Sequence, residues 1–367
     1  MKYGIIKTVG DVRPKTLGGV VRYVGPNCTY TTINDALDAA SDGDTVLVAP
    51  GTYNEAIVIH DDHITLKSIG SPQNTIITQA TGWTIDIVSH HATLIDGFTI
   101  NLTSPTATTD ANVHHNNADA NSPSIFQNCI FNWNSSVVVQ GGIIFWNVDG
   151  GPIFSNCQFN QSSTYTGTSA NLQFSYYSSV AGYTCYFYDC HFVLTNTGTD
   201  SAQGNQVLSI GNTHACNFYG GSITSTCAVQ TGGINSAFTI ISTAGVNVYN
   251  TNIRCVNTST GKTQPFAVSN GTNNMYGGSI YSHNTDNDGL FAFQGGAGSF
   301  NAYGVASLGD TAADEGTINR YGVAKAGDAG YKAISSKTTG GSGSAGSGKQ
   351  YVEIRVGGTT YKALYET

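Results

Sequence analysis

The sequence predicts an all-β chain wound as a single-stranded right-handed parallel β-helix, with a short N-terminal capping helix and a C-terminal β-hairpin after a flexible linker. Three observations carry that expectation. With 45 glycines and charged residues at only 10%, the chain is built for short strands and many turns. A six-residue pattern recurs at steps of 27 to 33 residues. No copy holds enough apolar surface to fold alone, so the copies must stack and share a core.

The pattern is an apolar residue, any residue, then Asn, Asp or Gly, a small residue, any residue, and Phe or Ile. It appears as FQNCIF from Phe126, FSNCQF from Phe154, FYDCHF from Phe187, FYGGSI from Phe218, VYNTNI from Val248 and MYGGSI from Met275, with a degraded AYGVAS from Ala302. Upstream, ITLKSIG and ATLIDGF repeat each other at a step of 28, which places Leu66 and Leu94 in register with Phe126 and makes nine copies. Strand alternation sends the first apolar residue inward and its neighbour outward. The Asn, Asp or Gly then takes a bend where positive φ is tolerated, and the small residue and final Phe or Ile point inward again. Roughly nine or ten coils at a strand spacing of about 4.8 Å make a rod about 45 Å long.

In chain order, residues 1–29 read as an N-terminal arm carrying Lys2, Lys7, Arg13, Lys15 and Arg22. Its start, MKYGIIKTVGDVRPK, has no apolar core of secretory length, so the expected origin is a host cytoplasm, without a signal peptide. Residues 30–337 hold the β-helix. Within TTINDALDAAS, Ile33, Ala36, Leu37 and Ala40 fall at helical spacing behind a Thr32–Asp35 capping pair, which predicts a helix covering the open end of the first coil. DGDTVLVAPGTYNEAIVI, Asp42 to Ile59, reads as strand, bend at Pro50-Gly51 and strand, with Glu55 an edge residue.

Residues 338–348 are a flexible Gly/Ser linker by composition. Residues 349–367 read as a hairpin about Gly357-Gly358. Pairing Val356 with Thr359 puts Ile354 opposite Tyr361 and Val352 opposite Ala363 on one face, and Glu353 opposite Lys362 on the other. Such a hairpin is marginal alone. Val352, Ile354, Val356 and Tyr361 are therefore expected to dock it on another chain, with folding back on its own rod as the alternative.

The net charge of −8 matters less than where the cations lie. Between Arg22 and Arg254 the only Lys or Arg is Lys67. A body with one ammonium group cannot neutralise a row of phosphates, which argues against nucleic acid and against anionic membranes as partners. No apolar run approaches a membrane span. The eight cysteines, from Cys28 to Cys255, lack CxxC spacing and read as buried thiols.

The helix, DGDTVLVAPGTYNE, ITLKSIG and ATLIDGFTI together resemble the first coils of the pectin-lyase-like superfamily, and most of all the start of pectin methylesterases. The resemblance covers Tyr30 to Asn101 by motif and extends by coil period to about residue 307. It implies the fold and no activity, because the Gln-Asp-Thr and Phe-Gly-Asn-type segments and substrate-binding Arg of the esterases are absent. So are the catalytic Arg and calcium-binding aspartates of the lyases. Polyuronate chemistry needs cations near the substrate carboxylates, and this body offers one Lys. HNTDNDG echoes one polygalacturonase-like segment and supplies Asp286 and Asp288 as weak catalytic candidates, against a plain solvated turn.

Other constellations read mainly as structure. His63 over His91 and Asp62 over His90, with His114 and His115 nearby, form a corner that could in principle hold a metal; stacked polar bend residues are the commoner outcome, so neither metal nor cofactor is expected. Cys129, Cys157 and Cys190 share one inward register and read as core. The outward position gives Gln127 and Ser155, then Tyr188, Tyr219, Tyr249, Tyr276 and Tyr303 in successive copies. This stripe reads as a contact face between protomers, as a platform for sugar rings, or as plain self-stacking.

Rod, docking hairpin and basic arm resemble, in architecture, the tailspikes, fibres and capsid decorations of bacteriophage virions. The expected function is a virion surface structural protein, assembled as a homotrimer, joined to other virion proteins through one terminus and contacting a host surface glycan. The alternatives are a glycan depolymerase, that is a glycoside hydrolase, on a virion, or a secreted carbohydrate-active enzyme.

Overall fold

Along many of the strands, buried apolar residues alternate with less buried, mostly polar ones. In Thr184–Tyr188, for example, Cys185 and Phe187 are buried while Thr184, Tyr186 and Tyr188 are half-buried. In the computed structural model, which describes residues 19–88, 93–106, 110–115, 123–136, 140–141, 144–146, 151–164, 171–177, 184–197, 206–210, 215–228, 234–240, 245–258, 262–268, 271–283, 298–309, 318–321, 350–356 and 359–365, such strands stack in parallel from coil to coil. The result is a parallel β-helix. A 12-stranded sheet runs from Val21–Val24 to Ile318–Tyr321, and a 10-stranded sheet from Gly51–Tyr53 to Ala306–Gly309. The third face is a 3-stranded sheet (Ile57–Ile59, Trp83–Ile87, Ala111–His115) and a 6-stranded one ending at Lys262–Val268. Among the described residues, no helix is long and apolar enough to cross a membrane.

In most coils the corner between the two large sheets turns on one residue in the left-handed region, and at Gly220-Gly221 and Gly277-Gly278 on two. Asn128, Asn156, Asp189 and Asn250 sit there at φ of 48 to 54°, and Gly97, Gly220, Gly277 and Gly304 take the same place in other coils. These residue types tolerate that backbone. The bends from Gly97 to Gly277 donate their N–H to the carbonyl of the outward residue one coil further on, as from Asn156 to Tyr188 at 2.8 Å and from Gly220 to Tyr249 at 2.8 Å.

One register differs from expectation. Leu66 and Phe126 both pair with Ile95 rather than Leu94, so the steps are 29 and 31 residues and the true copy is IDGFTI from Ile95. The bend decides this: Gly97 takes the positive φ, so the inward residue two places earlier is Ile95, fully buried, while Leu94 is only half-buried. The coil also extends further than nine copies. Val21–Val24, within the stretch read as an arm, and Thr45–Val48 precede Leu66 in the same sheet, and Ile318–Tyr321 follows Ala302.

Two columns of phenylalanine fill the middle of the rod. Phe126, Phe154, Phe187 and Phe218 stack at centroid distances of 5.1, 5.0 and 4.5 Å, and Phe131, Phe159 and Phe192 at 5.0 and 4.5 Å. The columns meet edge to face, with Phe154 on Phe159 at 5.4 Å and 74°. Both geometries suit the ring quadrupole and add about 0.5–1.5 kcal/mol per pair to the burial itself.

The first coil is closed by the expected helix, α1 (Ile33–Asp38), whose Ile33, Ala36 and Leu37 are buried, with Ala40 packed partly against the same core. Thr32 Oγ1 accepts from the Asp35 N–H at 3.1 Å. Glu55 does more than edge the coil: its carboxylate accepts from the N–H groups of Ile33 at 2.8 Å and Asn34 at 3.1 Å, tying helix to coil. At the C-terminus, Gln350–Val356 and Thr359–Tyr365 pair antiparallel, with Val356 opposite Thr359, Ile354 opposite Tyr361 and Val352 opposite Ala363. Residues 1–18 of the arm and the 338–348 linker lie outside the described residues.

Gly221 and Gly304 both have positive φ, but a Cβ on Gly221 would lie 2.0 Å from the Cys190 carbonyl oxygen, whereas one on Gly304 would meet nothing within 4 Å. Gly304→Ala is expected to cost about 1–2 kcal/mol for the backbone alone. Gly221→Ala should cost about 1–3 kcal/mol more, from the clash. Paired urea unfolding curves measure the difference.

Candidate functional site

The outward tyrosines form a continuous ladder. Tyr188, Tyr219, Tyr249, Tyr276 and Tyr303 occupy matching register positions in consecutive strands of the 12-stranded sheet. Their rings stack at 5.0, 4.8, 4.9 and 4.8 Å, with interplanar angles of 3 to 9°. Parallel strand spacing sets that distance. Two residues earlier a second ladder runs beside the first. The Nδ2 of Asn247 donates to Asn217 Oδ1 at 2.9 Å, Asn274 to Asn247 at 2.8 Å, and Asn301 to Asn274 at 2.9 Å. The repeated Asn-x-Tyr, from Asn217-Phe218-Tyr219 to Asn301-Ala302-Tyr303, was the sequence signal for this pairing.

Geometry limits what the stripe can contact. The rings above and below cover both faces of Tyr219, Tyr249 and Tyr276, so these residues present edges and hydroxyls to solvent. A sugar ring packs against an aromatic face, and the interior of the ladder has none to give. The five strands Thr184–Tyr188, Ala215–Tyr219, Val246–Tyr249, Thr272–Tyr276 and Ser299–Tyr303 contain no Asp, Glu, Lys or Arg. The face is flat, uncharged and rigid. Burial, together with neighbouring tyrosines, raises the phenol pKa of Tyr188, Tyr219 and Tyr276 above the ordinary 10.0.

The best-placed carboxylates are committed to holding the coil. Asp44 accepts from the N–H groups of Val20 at 2.6 Å and Ser41 at 2.8 Å and pairs with Arg22. Asp96 pairs with Lys67 Nζ at 2.6 Å and accepts from Asn128 Nδ2 at 2.8 Å, so the Lys67 ammonium is a structural counter-ion. Burial alone would raise both acids, but these partners outweigh it and hold them below the usual 3.8. Asp61 goes the other way, raised by burial and then by Asp42. Asp110 accepts from Gly82 N–H at 3.0 Å and Thr106 N–H at 2.7 Å.

His114 and Asp86 pair across neighbouring strands, Nδ1 to Oδ1 at 2.7 Å, and the imidazole stacks on Trp83 at 3.6 Å and 8°. A carboxylate-oriented imidazole is two members of a hydrolytic relay. Among the described residues, no hydroxyl or thiol bonds to the His114 ring to supply the third. Nor do three His, Cys, Asp or Glu side chains converge there as metal ligands would. Cys129, Cys157 and Cys190 are buried free thiols, and burial pushes Cys129 and Cys157 well above the ordinary thiol value. Asp286, Asp288, His90 and His91 lie outside the described residues. For Val352, Ile354, Val356 and Tyr361 the backbone register is set, on a hairpin remote in sequence from the tyrosine ladder.

Two pH responses follow. Tyrosines with raised folded-state values stabilise the protein below about pH 10 and lose that contribution as pH rises through those values. Tyrosinate absorbance should therefore show a subset of phenols titrating late, with unfolding on the alkaline side. Asp44 and Asp96 stabilise the fold above the unfolded-state value of about 4 and lose this as pH falls through their lowered values. Lys67→Met should return Asp96 toward its ordinary range and move acid unfolding, followed by circular dichroism, to higher pH.

No family model and no curated protein matches the chain. Solved structures similar to it include pectin methylesterase PemA from Erwinia chrysanthemi, at 14% identity over 77% of this chain and 82% of that one, with a TM-score of 0.36. Pectin methylesterase from Aspergillus niger in its deglycosylated form is 17% identical over 68% and 87%, with a TM-score of 0.34. No residue role is carried from them to this chain.

Proposed function

We propose that this protein is a structural component of a virion surface, a spike, fibre or capsid decoration, whose rod assembles with two further copies of itself through the tyrosine face. The observation that carries the reading is the ladder Tyr188 to Tyr303, with its ring faces spent on each other and its hydroxyl edges aligned. Tyr is enriched at protein interfaces. A stripe already locked by stacking loses little side-chain freedom on contact, which lowers the cost of association. Around a threefold axis the same ridge from each copy meets its equivalents, so one sequence motif satisfies three chains. The hairpin after its linker is then the attachment module to other virion proteins.

Asp44, Asp96, Asp110 and Glu55 lend a glycan depolymerase no support: the three aspartates are bound to backbone N–H groups or to counter-ions, and Glu55 to α1. The structural reading predicts a solution mass of three chains by light scattering. Replacing Tyr219 and Tyr249 together by Glu, at half-buried positions where the coil itself tolerates polarity, should yield monomers with an unchanged far-ultraviolet spectrum. A wild-type protein that is monomeric at micromolar concentration would overturn it.

A further inference from the structure

The corner between the two large sheets carries a recess that the tyrosine face does not explain. In most coils this corner is one left-handed residue, but in the coil after Thr65–Ser68 it expands into residues 69–74, including the 3-10 turn Pro72–Asn74. The expansion is fastened. Thr99 Oγ1 donates to the Pro72 carbonyl at 2.6 Å, Ser68 Oγ to Thr75 Oγ1 at 2.7 Å, and Gly70 N–H to Ser68 Oγ at 3.0 Å. The next corner is Gly97, which has no side chain, and the following two are Asn128 and Asn156. Between the Pro72–Asn74 wall and His191 lies a cleft of about 370 Å³. That is within the size range of small-ligand sites.

Its lining mixes polar side chains with the apolar surface of Pro72, Cys129, Ile130 and Cys157. Gln73, Asn128, Asn156, Gln158 and His191 line it as exposed polar groups, and no carboxylate, ammonium or guanidinium does. The orientation of the asparagines is forced by charge. Lys67 holds Asp96, an acceptor, which takes the Asn128 Nδ2 hydrogen, so Asn128 Oδ1 must face the next coil and accepts from Asn156 Nδ2 at 2.9 Å. Asn156 Oδ1 thus remains an acceptor, and the next corner, Asp189, cannot donate to it when ionised. His191 Nδ1 is engaged by Ser222 Oγ at 2.8 Å, leaving Nε2 as its second hydrogen-bonding atom. Primary amides beside an imidazole offer donors and acceptors side by side, which is what vicinal hydroxyls, each both donor and acceptor, require.

We propose that this corner cleft is a binding site for a neutral saccharide, held by Gln73, Asn156, Gln158 and His191 without cleavage. An anionic glycan would find no cation here, and hydrolysis would find no carboxylate pair. The site lies beside, not within, the tyrosine ladder and does not depend on self-association.

The test is ligand-observed saturation-transfer NMR on the full chain, with maltotriose, cellotriose, mannotriose and galactotriose as neutral probes and trigalacturonate as the anionic one. At least one neutral trisaccharide should show transfer and trigalacturonate none. The Gln158→Ala/His191→Ala double variant, at two exposed positions, should weaken that binding roughly tenfold or more, as the loss of two hydrogen bonds implies. Silence from all four neutral probes overturns the site. Binding unchanged in the double variant places it elsewhere and overturns the assignment, and equal binding of trigalacturonate overturns the neutral class. None of these outcomes bears on the mass measured by light scattering.

Discussion

Parallel pairing of each coil with the next is the constraint on which everything else depends. Once Phe154 is hydrogen-bonded in register between Phe126 and Phe187, every other residue of that strand is also stacked on its counterpart. Side chains then meet their equivalents at the strand spacing, whether they face the core or solvent. Phenylalanine columns inside and tyrosine and asparagine ladders outside are the same register seen from two sides. The fold therefore gains stability from like-on-like contacts, which need only that the same residue type return at the same place.

Register in turn is held by the corners. A bend of one left-handed residue is short enough that an extra residue would reverse the facing of the strand after it. Asn, Asp and Gly answer the conformational demand, and Asn adds a side-chain amide that bonds its neighbour in the adjacent coil, as Asn156 does to Asn128. Near the start of the rod, the ion pair of Lys67 with Asp96 gives that ladder its direction. The pair, half-exposed at Lys67 and buried at Asp96, holds the carboxylate ionised and selects which way a row of amides points, and so which atoms face the cleft. Two coils have no left-handed residue at this corner: the first bends through Ala49-Pro50, and the second has the enlarged corner beside which a cleft opens.

Much of this was legible in the sequence because the repeat unit is local. Alternation along six residues assigned Phe126, Cys129 and Phe131 inward and Asn128 to the bend, and the helical spacing of Ile33, Ala36 and Leu37 assigned the cap. At one place local similarity and bend geometry point to different registers. ITLKSIG and ATLIDGF align well as strings, yet Gly97 sets the facing of the strand before it, and Leu94 yielded its place to Ile95. Nothing local marks Glu55 as more than an edge residue, because its partners, the Ile33 and Asn34 N–H groups, lie more than twenty residues away and belong to a helix end. Asn-x-Tyr recurs in the sequence, but the amide-to-amide direction of its asparagine ladder is set only by neighbouring coils.

By itself, then, the sequence determined the coil, its bends, its buried aromatic stack and the alignment of five tyrosines, since each follows from short-range alternation repeated at a regular step. Only the tertiary structure decided how those tyrosines are oriented: face on face, so that edges rather than ring faces are exposed. It alone showed that Asp44, Asp96 and Glu55 are occupied by groups distant in sequence, and that Gln73 and His191, well over a hundred residues apart, share one recess. The physical reason is the same in each case. Periodicity specifies which residues repeat along the rod, whereas ring orientation, hydrogen-bond direction and cleft shape are set by atoms brought together from different coils.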